Sequence, residues 1–335
     1  MGVAQGYQGE AVVMTRNLYA GTDYASLLNP PPGELGLLKS VEAAWNQVLS
    51  NNFPERARAL ADEIVAARPD LIGLQEVTLL STTNQTNGKL GPGFDHLEIL
   101  LGELSARGAP YTALVSTNDF DAAMPTLPAA VGGADLVIRI VDRDVLLTRA
   151  DLPAAALEVL GTQSGQFEER MMLLGMVPLV RGWVAADVRV RGILLRIVST
   201  HLEPYDESVQ LCQAQALLDG PARTELPLVL LGDFNSGSPD SETPFKATYA
   251  YLLDSAHGLS DAWRTLDPTS PGFTSSQAPD LRNPASQLSS RIDFVLTRGL
   301  RAKGASLTGY LPVSKTPSGL WPSDHAGLQV ALDLA

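Results

Sequence analysis

A carboxylate and a carboxamide follow a short apolar run near the middle of the chain. The segment Leu226–Asn235 reads Leu-Pro-Leu-Val-Leu-Leu-Gly-Asp-Phe-Asn. Its apolar part has the length and composition of a buried strand. Side chains two residues apart in an extended chain point to the same face, so Asp233 and Asn235 can aim at one point beyond the strand end. An ordinary Gly-Asp-x-Asn turn is the alternative interpretation of these residues.

Other polar side chains also lie at the ends of predicted strands. Each of these residues alone could instead have a purely structural role, as a turn residue, a solvated acid or a hydrogen-bonded core histidine. The chain has four histidines, and His96 and His257 lack such a setting and are predicted to be structural. The candidate functional residues are Asn17, Glu76, His201, Asp233, Asn235, Asp293, Asp324 and His325.

These side-chain types together suit metal-assisted hydrolysis of a phosphoester. A hard cation such as Mg²⁺ takes one or two carboxylates and keeps several waters, so Glu76 is the expected ligand, with Asn17 adding a carboxamide oxygen. Asp233 can accept a proton from the attacking water. Asn235 can orient that water or donate a hydrogen bond to a phosphoryl oxygen.

Phosphoryl transfer also needs cationic donors, because negative charge spreads over the phosphoryl oxygens in the transition state. Protonated His201 and His325 are expected to serve as these donors. A carboxylate beside an imidazole sets its tautomer and raises its pKa. Asp293 is the predicted partner of His325.

The elements that must position these groups alternate between strand and helix, which predicts layered α/β architecture. Strands are predicted at Ala11–Arg16, Asp70–Val77, Tyr111–Ser116, Asp135–Ile140, Asp144–Thr148, Trp183–Val190, Ile193–Thr200, Leu228–Leu231, Ile292–Thr297 and Leu328–Leu332. Helices are predicted at Glu34–Ser50, Pro54–Ala67, Phe94–Arg107, Val209–Leu218 and near Pro244–Leu253. Ser81–Gly93, Phe120–Gly133, Thr265–Ser290 and a Pro-rich turn at Leu311–Pro322 are predicted loops, and Arg191-Gly192 is a hairpin signal.

Composition limits the class of protein. The chain has 335 residues, 45% hydrophobic content and a formal net charge of −13. That size allows a large core, and the acidity disfavours a broad surface for nucleic-acid phosphates. We find no short repeat and no linker between similar halves, so we predict a flexible segment at residues 1–10 and a single catalytic domain at residues 11–335. The lone cysteine, Cys212, is predicted to be a small buried apolar residue.

No segment of the sequence has the length and hydrophobicity of a transmembrane helix. The first ten residues lack the basic and apolar regions of a signal peptide. We nevertheless expect an exported protein, secreted or periplasmic, whose signal peptide is absent from this chain. No obligate protein partner is evident.

Six short motifs, in order, resemble those of the endonuclease/exonuclease/phosphatase superfamily, the deoxyribonuclease I-like fold. They are Thr15-Arg-Asn17, Leu74-Gln-Glu76, Ser199-Thr-His201-Leu, Gly232-Asp-Phe-Asn235, Arg291-Ile-Asp293-Phe and Ser323-Asp-His325. A single Gly-Asp-x-Asn motif is weak evidence for this superfamily, but six motifs in order over nearly the whole chain are strong evidence for it.

The resemblance implies a four-layered α/β/β/α sandwich, in which two mixed sheets pack face to face with helices outside. It implies Mg²⁺ or Mn²⁺ as cofactor, with Glu76 as the main metal ligand and Asn17 beside it. It implies that Asp324 is a second-metal or proton-handling residue. His201 and His325 would flank the phosphoryl group, with Asp293 paired to His325.

The expected function is therefore divalent-metal-dependent phosphoester hydrolysis by in-line attack of an activated water. The substrate could be a small molecule, a lipid head group or a nucleic acid. The alternatives are a nuclease, a sphingomyelinase-like phospholipase C, or a catalytically inactive binding protein on the same fold. The run Ser289-Ser-Arg-Ile-Asp lacks the Trp and Cys that inositol polyphosphate 5-phosphatases usually carry there, and Asn235 lacks the Ala-His continuation usual in abasic-site endonucleases.

Overall fold

The computed structural model describes residues 9–173, 175 and 177–335. The α-helices in that part of the chain are α1 Ala25–Leu28, α2 Gly36–Ser50, α3 Phe53–Ala67, α4 His96–Ala106, α5 Glu207–Asp219, α6 Ala247–Leu252 and α7 Ala262–Leu266. The strands are β1 Glu10–Asn17, β2 Leu71–Gln75, β3 Leu79–Asn84, β4 Phe94–Asp95, β5 Tyr111–Pro125, β6 Leu136–Arg149, β7 Leu157–Gln166, β8 Met171–Leu173, β9 Val177–Leu179, β10 Gly182–Val190, β11 Ile193–His201, β12 Leu228–Asp233, β13 Ser260–Asp261, β14 Asp293–Arg298, β15 Arg301–Thr308 and β16 Gly327–Asp333.

Two large mixed sheets form the centre of the molecule. The first has the strand order β15-β16-β1-β2-β6-β3-β4, with β5 also paired to β6, and the second has the order β13-β14-β12-β11-β10-β7. Strands β1 and β2 run parallel, as do β11 and β12. The carboxyl ends of each parallel pair therefore meet at one edge of their sheet.

The layers follow from the period of two along the strands. In β12, Val229 and Leu231 pack into the cluster between the two sheets, whereas Leu228 and Leu230 pack outward with helices α5 and α6. Helices α3 and α4 cover the outer face of the first sheet through a third apolar cluster. The described residues thus form the predicted four-layered α/β/β/α sandwich, and that prediction is confirmed.

The two sheets approach closely where Gly73 of β2 faces the second sheet. A Cβ at this position would lie 2.2 Å from Leu231 Cδ1 and 2.4 Å from Ser199 Oγ. Only a residue without a side chain fits this space. The two strand pairs that carry the candidate residues are therefore held together at close range.

Two predicted loops contain strands. Strand β5 continues through Pro125, inside the predicted loop Phe120–Gly133, and β3 occupies the start of the predicted loop Ser81–Gly93. Strand β5 pairs with β6 along its whole length, with register shifts near Ala113 and Asn118. This long pairing outweighs the weak strand propensity of the Ala-, Asp- and Pro-rich sequence.

Other local predictions also need correction. Strands β7 and β15 were not predicted, because neither has a clear apolar alternation. Cys212 is exposed on α5 rather than buried. The predicted flexible segment falls mainly on residues 1–8, which lie outside the described residues, and Glu10 already belongs to β1. The hairpin at Arg191-Gly192 is confirmed by the pairing of β10 with β11.

No helix in the described ranges is both long enough and apolar enough to cross a lipid bilayer.

Candidate active site

All eight candidate residues lie at one edge of the sandwich. Asn17, His201 and Asp233 end strands β1, β11 and β12, and Glu76 directly follows β2. Three further residues lie at the starts of two antiparallel strands. Asp293 begins β14 opposite Asp233, and Asp324 and His325 lie just before β16. Residues distant in sequence therefore meet because the ends of parallel and antiparallel strands coincide here.

The alternation predicted for Gly232–Asn235 is present. Asp233 and Asn235 face the site, whereas Phe234 between them is buried in the outer apolar cluster. The Asn235 amide donates to Asp233 Oδ1 at 2.9 Å, and the Asn235 side chain donates to the Leu202 carbonyl at 2.9 Å. Asn235 has a φ of +50°, a conformation that asparagine tolerates better than most residues.

Asp233 Oδ2 lies at the centre of the site. It is 3.7 Å from His201 Nε2 and 3.8 Å from His325 Nε2, and it accepts a 3.0 Å hydrogen bond from Asn17. Burial first, and then the nearby Asp293 carboxylate, raise the pKa of Asp233 to about 7. A carboxylate with a pKa near neutrality is suited to proton transfer at neutral pH.

Asn17 bridges two carboxylates through its amide nitrogen. Nδ2 donates to Glu76 Oε1 at 3.0 Å and to Asp233 Oδ2 at 3.0 Å. The carboxamide oxygen instead accepts from the Tyr19 amide at 2.9 Å, which defines the orientation of the group. In this orientation Asn17 holds Glu76 and Asp233 in place, and its role as a metal ligand stays a prediction.

His325 forms the predicted contact with Asp293. The Nδ1–H group donates to Asp293 Oδ2 at 2.8 Å, so Nε2 faces the centre of the site. Burial alone lowers the pKa of His325, but the carboxylates of Asp293, Asp324 and Asp233 outweigh it and raise the pKa well above 6.5. His325 is therefore a protonated donor at neutral pH.

His201 differs from the expectation that it is protonated. Burial, then Arg181 and then His325 lower the pKa of His201 well below 6.5, so the ring is neutral. Arg181 Nη1 lies 3.0 Å from His201 Nδ1 and 3.5 Å from Nε2, so the guanidinium lies against the ring, while Nε2 faces Asp233. The nearby cation is the guanidinium of Arg181.

Sequence reasoning missed Arg181 and three buried acids near it. Asp142 Oδ2 lies 3.9 Å from Arg181 Nη1, and burial and then Glu76 raise the pKa of Asp142 to about 7. Burial, followed by neighbouring carboxylates, raises the pKa of both Asp119 and Asp144 well above its usual range. The signal was available in Val141-Asp-Arg-Asp-Val145, where two acids stand two residues apart in an apolar strand.

The donor set fits a hard divalent cation. Glu76 accepts from the Ala20 amide at 2.7 Å, which fixes the carboxylate toward the site. Burial raises the pKa of Asp324 to about 6, His325 opposes that shift, and the Glu76 carboxylate adds to it. Carboxylates crowded this way repel one another, and a cation between Glu76 and Asp324 would relieve that repulsion.

The site opens to solvent as a pocket of about 260 Å³. Its walls carry Glu76, Asp233, Asn235, Asp324, His325, His201 and Arg181, together with the rings of Tyr19, Tyr24 and Tyr205. Buried arginines brace the surrounding loops. Arg56, for example, donates to the carbonyls of Leu18 at 2.7 Å and Pro322 at 2.8 Å.

The sequence model of the Endonuclease/Exonuclease/phosphatase family matches residues 45–325, and the chain belongs to that family. The family and the enzyme class predicted from the motifs are thereby confirmed: this is an enzyme of the class that hydrolyses phosphoester bonds. No curated protein sequence matches the chain.

Solved structures share the fold at low sequence identity. An endonuclease/exonuclease/phosphatase family protein from Bacteroides thetaiotaomicron has a TM-score of 0.60 and 15% identity, covering 98% of this chain and 100% of that one. The mannosyl-6-phosphatase of B. thetaiotaomicron VPI-5482 has a TM-score of 0.57 and 15% identity, covering 96% and 99%. D. rerio TDP2 complexed with single strand DNA product also has a TM-score of 0.57 and 15% identity, covering 97% and 99%.

Proposed function

We propose that this protein hydrolyses a phosphodiester with the help of a divalent cation, Mg²⁺ or Mn²⁺, by in-line attack of water on phosphorus. The observation that carries the proposal is the convergence on Asp233 Oδ2 of the two histidine Nε2 atoms, at 3.7 and 3.8 Å. A proton acceptor and two donors thus face one small space, which is the requirement for activating a nucleophile beside a phosphoryl group.

Each residue has a proposed role. Glu76 and Asp324 hold the cation, which supplies charge to offset that of the phosphoryl group. Asp233 accepts the proton of the attacking water, and Asn17 and Asn235 keep its carboxylate in place. The Nε2–H groups of His201 and His325 and the guanidinium of Arg181 donate to phosphoryl oxygens, while the bond from phosphorus to the leaving oxygen breaks.

Two features of the charge distribution support this assignment. His325 is protonated through Asp293, and Arg181 carries a permanent charge in the pocket wall. Nη1 of Arg181 lies against the His201 ring, and the buried Nε–H group of Arg181 has no hydrogen-bond partner among the described residues. A guanidinium with unused donors in a pocket wall is suited to binding phosphate oxygens.

The test is hydrolysis of bis(p-nitrophenyl) phosphate and of p-nitrophenyl phosphate in the presence of Mg²⁺, Mn²⁺ or EDTA. We expect turnover of the diester that requires the cation and is lost in Glu76→Ala. Glu158→Ala is the matched control, because Glu158 pairs with Arg189 on the surface, far from the catalytic edge, and its side chain is 44% exposed.

Turnover of the monoester alone would replace the diester in the proposal with a phosphomonoester. Absence of turnover of both compounds by a folded protein that still binds Mn²⁺ would contradict hydrolysis of simple esters. Failure of the folded protein to bind Mn²⁺ would contradict the proposed role of the divalent cation.

A further inference from the structure

An apolar cleft opens beside the catalytic pocket. We define it by its apolar walls: Leu27, Leu28, Phe120, Met124 and Leu179. Its volume is about 40 Å³. A small space of this kind with few polar partners favours hydrocarbon over ordered water.

The apolar cleft and the catalytic pocket share part of their walls. Tyr24, Asp142, Arg181 and Tyr205 line both. Arg181 thus lies in the wall of both spaces, so a phosphoryl group held by its guanidinium would lie next to the cleft. A substituent on a bound phosphoryl group has a direct path into the cleft.

A second apolar space continues the first. This inner cleft is lined by Val41, Trp45, Val48, Leu80 and Ile140, and also has a volume of about 40 Å³. Tyr24, Leu27 and Met124 line both clefts. Met124 is unbranched and flexible, so rotation of this side chain would join the two spaces.

Leu179, in the cleft wall, belongs to an apolar stretch of sequence. Residues 171–180 read Met-Met-Leu-Leu-Gly-Met-Val-Pro-Leu-Val, without a polar or charged side chain. The paired strands β8 and β9 lie in this run, and Leu179 of β9 reaches the cleft. Met172 of β8 is 44% exposed. The strand pair thus adds the apolar side chain of Leu179 to the wall of the cleft.

We propose that the natural substrate is an amphiphilic phosphodiester, with its phosphoryl group at Asp233 and Arg181 and an alkyl chain in the apolar cleft. This inference rests on the proposed function and specifies its substrate class. In the reaction, the water oxygen forms the new bond to phosphorus, the bond to one ester oxygen breaks, and the water proton passes to Asp233.

The test uses p-nitrophenyl phosphodiesters whose second ester group is methyl, butyl or octyl, with release of p-nitrophenolate as the readout. Burial of one methylene raises affinity about fourfold. We therefore expect kcat/KM to rise at least about tenfold from the methyl to the butyl ester, even with partial burial. The readout for variants is the ratio of the butyl to the methyl value of kcat/KM.

Met124→Gln places an amide in the cleft at nearly constant volume, and Leu179→Gln provides a second variant in case the first is poorly folded. We expect both to lower the butyl-to-methyl ratio at least about threefold, since an alkyl chain beside an amide loses its apolar wall. Leu160→Gln is the matched control, because Leu160 is 46% exposed on β7 and lines neither cleft. It should leave the ratio unchanged.

Turnover of all three esters with equal kcat/KM would overturn the substrate class and leave the proposed function intact. A chain-length preference that both cleft variants retain would also overturn it. Turnover of none of the esters, and none of bis(p-nitrophenyl) phosphate, would count against the proposed function itself.

A parallel assay on phosphatidylcholine vesicles distinguishes two sources of such a substrate. Release of phosphocholine from the vesicles, reduced in Met124→Gln, would support a membrane lipid. Chain-length dependence on the soluble esters without hydrolysis of vesicles would support a soluble amphiphile.

Discussion

The Nη1 atom of Arg181 lies 3.0 Å from Nδ1 of His201. This contact places a permanent positive charge in the pocket wall beside the ring, and after burial it is the main cause that lowers the pKa of His201. The permanent cation beside His201 is thus Arg181, a residue in none of the six motifs.

Replacement of Arg181 should therefore impair hydrolysis. We expect Arg181→Gln to lower kcat/KM about 100-fold, the usual cost of removing one donor to a developing negative charge. Arg181→Lys should have a kcat/KM between those of the unmodified protein and Arg181→Gln, because lysine retains the charge but lacks the planar guanidinium. Steady-state kinetics on bis(p-nitrophenyl) phosphate measure both. Arg139→Gln, which removes an exposed partner of Asp121, is the control; equal losses in it and in Arg181→Gln would refute a specific role.

The contact between Asp293 and His325 should control the pH profile. The carboxylate raises the pKa of His325, so the protonated donor persists at neutral pH and activity declines as pH rises through that raised pKa. Asp293→Asn removes the negative charge, and the alkaline limb of kcat/KM should move to lower pH. A limb that stays in place would show that His325 is not the group that titrates. Asp121→Asn, on the surface, should leave the profile unchanged.

Cation binding should stabilise the fold. Burial raises the pKa values of Asp233 to about 7 and Asp324 to about 6, with nearby carboxylates adding to both shifts. A bound cation removes this repulsion, and a hundredfold excess over Kd contributes about 2.7 kcal/mol. Thermal unfolding with Mn²⁺ should thus show a higher Tm than with EDTA. Glu76→Gln should lose this increase and Glu158→Ala should keep it; an increase retained in Glu76→Gln would place the cation elsewhere.

His96 should make the protein sensitive to acid. It is fully buried and stacks on Phe53 with 3.6 Å between ring centroids, and burial first, then Arg56, lower its pKa well below 6.5. Below the unfolded-state pKa of about 6.5, the histidine binds a proton in the unfolded chain but not in the folded protein. The free energy of unfolding therefore falls as pH drops below that value, by up to about 1.4 kcal/mol per pH unit.

Urea unfolding at pH 7.5 and pH 5.5 measures this effect. The difference in unfolding free energy between the two pH values should be smaller in His96→Gln than in the unmodified protein. His257→Gln, at a partly exposed turn, is the matched control and should retain the original difference. Equal pH dependence in all three proteins would contradict the assignment.

Gly73 should be essential for close packing of the sheets. Gly73→Ala would place its Cβ 2.2 Å from Leu231 Cδ1, and overpacking of this kind costs about 1–3 kcal/mol. Urea unfolding should show this decrease in the free energy of unfolding. Gly102→Ala is the control: Gly102 lies in α4 with no atom within 4 Å of the added Cβ, and the change should stabilise by about 0.5–1 kcal/mol. An unchanged free energy of unfolding in Gly73→Ala would mean that the two sheets can move apart at this position without loss of stability.

Local sequence determined the elements that carry the site. The apolar run before Asp233 and the period-two alternation through Phe234 and Asn235 specify a buried strand with two polar groups on one face. The hairpin at Arg191-Gly192 follows from turn residues alone. Because each motif lies at the end or the start of a strand, the sequence also indicated which side chains would meet, and family membership confirms the fold that those motifs implied.

Tertiary structure decided the electrostatics and the path of β5. The neutral state of His201 depends on burial and on Arg181, which approaches from a separate strand connection. The orientation of Asn17 depends on the Tyr19 amide, and the extension of β5 through Phe120 depends on pairing with β6. Each of these features results from a contact between separate segments, and the sequence of neither segment predicts the contact. A pKa and a strand pairing depend on the surroundings in the folded protein.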